Sequence, residues 1–152
     1  MNDDRTLVAV FDSDRARFFE YREAHGKLVP TLDDLNSQLG HHRRDIEADR
    51  PGRGISNASG QRHALETPHD SRKLEKHSFI VRIAQELNAV LEQHQFGRLV
   101  IVAPARSVGE FRSVASANLK KTVWREVEKE YANLSDSELA RHLVPMLQAP
   151  PK

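Results

Sequence analysis

Apolar and polar positions change period along this chain, and each change marks an element. Thr6–Phe11 is a short apolar run with β-branched residues, followed by Asp-Ser-Asp-Arg and then "ARFFEYR", where Phe18 and Phe19 would face opposite sides of an extended chain. That pattern predicts two strands joined by a tight Asp/Ser turn. Gly26 supplies a second turn, and Lys27–Leu32 reads as a weaker third strand in which Pro30 suits an edge position. From Asp33 to His69 the only large aliphatic residues are Leu35, Leu39, Ile46, Ile55 and Leu65, too few and too irregular to bury a face. Structureless segments longer than ~12–15 residues are uncommon in compact domains unless they serve a function.

Beyond this loop, Ile80, Ile83, Ala84, Leu87, Val90 and Leu91 follow the i, i+3, i+4, i+7 spacing of an amphipathic helix. Pro68 suits the first position and Gly97 the exit, which predicts a helix from about 68–71 to 96. Leu99–Ala103 is an uninterrupted apolar strand, expected at the centre of a sheet covered on both faces. Ser107 and Glu110 have capping-box spacing, predicting a helix that starts there and runs to about Ala117. Val123, Arg125 and Val127 alternate with Trp124, Glu126 and Glu128, the period of a strand with one exposed face. Ser135 and Glu138 repeat the capping box before Leu139, Leu143 and Leu147, and Pro145 should kink or end that last helix. The sum is an α/β fold over residues 1–152 as one domain. It has a mixed five-stranded sheet flanked by helices, and a long basic glycine-rich loop at about 33–69.

Composition narrows the chemistry. The absence of cysteine excludes disulfides, thiolate catalysis and cysteine-based zinc sites. The acidic start and the brief apolar run after it do not make a signal peptide, and no run approaches the ~18 residues of a membrane span, so a soluble cytoplasmic protein is expected. The net charge of +1 hides an uneven distribution: residues 1–49 carry 11 acids and 7 bases, whereas residues 50–76 carry 3 acids and 6 bases. That basic concentration in and after the glycine loop points to an anionic partner.

No convincing active site appears. Asp12 and Asp14 sit in a turn where aspartate is favoured for local hydrogen bonding. His41, His42, His63, His69 and His77 match no common zinc spacing, so no metal or other cofactor is expected. Gly52-Arg53-Gly54 lacks the Lys-Ser/Thr of a phosphate-binding loop, and the serines lack a nucleophile elbow.

The motifs taken in order carry a resemblance. "ARFFEY", "DRPGR" at Asp49–Arg53, "SGQRHALE" at Ser59–Glu66, "LVIVAPARSVGEFR" at Leu99–Arg112 and the closing "VEKEYANLSDSELARHL" together resemble the bacterial host attachment protein family, over nearly the whole chain. That family is in turn similar to the middle domain of archaeal and eukaryotic peptide-release factors and of Pelota, which implies a ribonuclease-H-like fold. In those relatives a basic loop before a long helix carries Gly-Gly-Gln and enters the peptidyl-transferase centre. Here Ser59-Gly60-Gln61 occupies the comparable place, which makes Gln61 the weak candidate for peptidyl-tRNA hydrolysis. Ser59 replaces the first glycine, and its Cβ penalises a positive φ there.

What remains is binding. Arg50, Arg53, Arg62 and His63 lie in the loop, and Arg72, Lys73 and Lys76 continue the basic run into the start of the long helix. Guanidinium forks suit phosphate, and a glycine loop can mould to RNA, so a ribosome- or RNA-associated, non-catalytic module is the leading reading. The competing class is a factor that promotes attachment to host cells by an indirect route, and a third is a hydrolase using Gln61.

Overall fold

A computed structural model describes residues 5–37, 68–93 and 95–148, with side chains of the first helix from Lys73 onward. Three strands, β1 (Thr6–Phe11), β2 (Arg15–Arg22) and β3 (Lys27–Asn36), precede a long helix, α1 (Pro68–Glu92). β4 (Arg98–Ala103), α2 (Ala105–Val114), α3 (Ala117–Thr122), β5 (Val123–Glu128) and α4 (Asp136–Gln148) follow. The strands form one mixed sheet in the order β3-β2-β1-β4-β5, in which β2 runs antiparallel to β1 and β3 while β4 runs parallel to β1 and β5. This is the predicted α/β architecture with helices on both faces.

Alternation sorts the core into two layers. Leu7, Ala9, Phe11, Phe18, Leu99 and Ile101 face Ile80, Ile83 and Leu87 of α1, Phe111 of α2 and Leu119 of α3. Val8, Val10, Phe19, Tyr21, Val100 and Val102 face Leu139, Leu143 and Leu147 of α4. Each such aliphatic or aromatic side chain stabilises the fold by about 1.5–3 kcal/mol when fully buried. The phenylalanine pair of β2 is split between the layers as its spacing predicts.

The structure corrects several boundaries. β1, buried along its whole length, holds the central place expected for Leu99–Ala103; β4 lies beside it, also covered on both faces. A continuous apolar run signals two buried faces and does not rank the strands that have it. β3 is the predicted edge strand, yet it continues past Leu32 to Asn36, so the expected loop of 33–69 begins later. Leu32 and Leu35 lean on the core while Asp33 and Asp34 stay exposed, a polar edge that reads as loop. At the other boundary, Pro68 already belongs to α1, and residues 38–67 lie outside the described residues.

α1 ends at Glu92 rather than 96, and Phe96 turns into the core while the Gly97 and Arg98 amides donate to Arg5 O at 3.0 and 3.1 Å. Ser107 does not cap a helix. α2 starts at Ala105 after Pro104, Ser107 is buried within it, and the chain breaks at Ala115 so that Ser116 caps a short α3, accepting from Leu119 N at 3.1 Å. In β5 the alternation fails at one point: Val123 pairs with Leu99 but Arg125 pairs with Val100, leaving Trp124 as an inserted residue. That bulge puts Trp124 and Val127 against the α4 layer and Val123 against the other. Pro145 neither ends α4 nor sits at its boundary, since the helix continues to Gln148 with the exposed ring on its solvent side.

Candidate anion-binding surface at the start of the long helix

The turn between β1 and β2 is built by Asp12, whose carboxylate accepts the amides of Asp14 and Arg15 at 2.8 and 2.9 Å. Its carboxylate serves the turn, as the sequence pattern suggested. The end of β3 is fastened beside it: Ser37 N donates to Asp14 O at 2.8 Å, and Arg82 of α1 donates to Asn36 O at 3.0 Å. His77 of α1 reaches Glu110 of α2 at 3.8 Å. The early part of α1 therefore stands over the end of the sheet where β1 and β4 finish, a region where open α/β sheets commonly bind ligands.

The acids of this end are largely engaged. Asp34 pairs with Arg15 at 3.7 Å, and Glu110 faces both His77 and Arg106, each at 3.8 Å. Lys73 and Lys76 precede His77 on α1, three residues apart and so on one side of the helix. Lys73 is exposed and Lys76 half-buried, and neither forms an ion pair among the described residues.

Of the basic residues singled out from the sequence, the structure thus brings together Lys73 and Lys76. Arg72 belongs to the first turns of α1, but its side chain is outside the described residues, as are Arg50, Arg53, Gln61, Arg62 and His63 altogether. Among the described residues no group of three or more histidines, aspartates or glutamates is placed to hold a metal ion. No helix among them is long and apolar enough to cross a membrane.

Two features escaped the sequence reading. Arg17, on β2, is buried and reaches across to Ala132 O at 3.2 Å, to Leu134 O and to the Asp136 carboxylate. A charged residue in an alternating strand reads as exposed, and only the length of the later connection hinted at a need for such a tie. The second is a groove beside β5, walled by Lys120, Trp124 and Arg125, of which only Trp124 and Arg125 fall in the strand that the sequence predicts.

The family model described as "Protein required for attachment to host cells" matches residues 7–143, and the chain belongs to that family. No curated protein matches it.

Proposed function

We propose that this member of the host-attachment family is a single-domain, non-catalytic, cytoplasmic binding module that meets ribosomal or other RNA through the basic run from Arg50 to Lys76. The observation that carries the reading is the pair Lys73 and Lys76, unengaged by any described carboxylate at the start of α1. The sheet order, with β2 alone running against the other four strands, is in keeping with the ribonuclease-H-like, release-factor middle-domain type. A role in attachment to host cells, by an indirect route, is the second reading and rests on the description of the family. Hydrolysis of peptidyl-tRNA rests on Gln61 alone.

Co-sedimentation with ribosomes through a sucrose gradient tests the proposal. The wild type should co-migrate at low salt and dissociate as salt rises, because each phosphate contact releases counterions. A Lys73→Glu/Lys76→Glu variant and an Arg50/Arg53/Arg62→Ala variant should both migrate free. Free migration of the wild type at low salt would remove the ribosome as partner and leave attachment as the lead. Gln61→Ala should keep co-migration.

A further inference from the structure

α2 begins without a side-chain cap. Its N-cap residue is Pro104, which has no side-chain oxygen to accept an amide and no N–H of its own, and the first turn holds no acid. Pro104 O accepts the first helical bond, from Val108 N at 3.0 Å, so the amides of Ala105, Arg106 and Ser107 are left without a partner among the described residues. α3 and α4 close the same gap with serine: Ser116 accepts from Leu119 N, and Ser135 from Glu138 N.

A second, independent observation comes from Ser107. The residue is only 6% exposed, yet its hydroxyl makes no hydrogen bond among the described residues and is not sealed from solvent. Serines inside helices commonly donate to a carbonyl one turn back, as Ser113 does to Glu110 O at 2.7 Å. A polar side chain at the third helical position can instead reach back to the N-cap amide, but Pro104 offers none. Because the Cα–Cβ bond of a helical residue leans toward the helix start, the unused hydroxyl lies on the side of the unused amides. Arg106 is exposed beside them and held only loosely, at 3.8 Å from Glu110, which also faces His77. Asp12, the acid at the end of neighbouring β1, turns its carboxylate to the amides of Asp14 and Arg15. Three N–H groups, a hydroxyl and an exposed guanidinium at one helix start are donors without an acceptor, the complement of a tetrahedral oxyanion.

We propose that the start of α2 binds a phosphate group, met by the amides of Ala105, Arg106 and Ser107 and by the Ser107 hydroxyl, with Arg106 as its counter-charge. The site does not depend on the RNA reading, because its first probe is inorganic phosphate and its readout is local. The full chain, isotope-labelled, is titrated with inorganic phosphate and, at equal ionic strength, with sodium chloride, while amide shifts are followed by NMR. The Ala105, Arg106 and Ser107 amides should move together and saturate with phosphate but not with chloride. Ser107→Ala removes one hydroxyl and keeps a good helix former, and it should weaken binding about tenfold, the scale of one hydrogen bond to a charged group. Pro104→Asp supplies the missing cap: its carboxylate should take up the free amides, raise the melting temperature and abolish the phosphate response. A short single-stranded RNA then identifies the source of the phosphate. Saturation of the same amides at a lower concentration of RNA than of inorganic phosphate assigns a phosphodiester, and a response to inorganic phosphate alone assigns a free phosphate. Amides that stay still with both probes, that move without saturating, or that respond only at the start of α1 would overturn the proposal. So would equal phosphate affinity in Ser107→Ala and the wild type.

Discussion

Tyr21 shows how one atom can work against its neighbours. Its ring is buried against the α4 layer, yet its hydroxyl finds no hydrogen-bond partner among the described residues. Burial pushes the phenol pKa up, and Glu23 adds to the shift, so the group stays neutral and cannot recover its lost hydration by ionising. An orphaned buried hydroxyl costs about 1–3 kcal/mol, whereas the ring without it keeps its apolar contacts. Tyr21→Phe should therefore stabilise the protein by about 1 kcal/mol, read as a higher urea midpoint at unchanged slope. A drop of that size would show instead that the hydroxyl holds a contact that matters, such as a bound water.

At the scale of elements, local chemistry was legible where it is self-contained. The capping box of α4 forms as the Ser135–Glu138 spacing predicts: Ser135 Oγ accepts from Glu138 N at 3.2 Å and donates to Glu138 Oε1 at 3.0 Å. The Ser135 backbone amide, and after it the hydroxyl, hold the Glu138 pKa below its ordinary value. A carboxylate with a depressed folded pKa adds stability above its unfolded pKa and loses it as pH falls through the folded one. Ser135→Ala should cost about 1 kcal/mol at neutral pH, and the deficit should narrow on acidification through the glutamate range. Parallel thermal melts of the two proteins across that range check it; a deficit that widened toward acid would sink the argument. The same Ser-x-x-Glu spacing misled at Ser107, because residues three apart also recur inside any helix, and Pro104 had already set the start of α2. Strand order was not legible, since pairing is non-local and several strands share one apolar pattern. The Trp124 bulge was hidden for a simpler reason: a single inserted residue flips the side-chain faces without changing composition. The candidate site divided along the same line. Lys73 and Lys76 stand out as adjacent charges on one helix, whereas the β5 groove draws its walls from three elements and exists only after they pack.

For the molecule as a whole, the unequal cover of the sheet decides what can move. One face is sealed by α1, α2 and α3, while the other is covered by α4, held through Leu139, Leu143 and Leu147. Arg17 reinforces that thinner layer. Its guanidinium lies 5.2 Å from the Phe19 ring and bonds Ala132 O, Leu134 O and Asp136, so one side chain of β2 clamps both the connection from β5 and the first turn of α4. Fewer buried contacts and one polar clamp make α4 the part expected to open below global unfolding. Native-state hydrogen exchange should find α4 amides less protected than those of β1 and β4. Arg17→Lys keeps the charge but loses the fork, and it should speed exchange in α4 and residues 129–135 by about tenfold while leaving β1 and β4 near their wild-type rates. If all these amides accelerated together, α4 would belong to the same cooperative unit as the sheet.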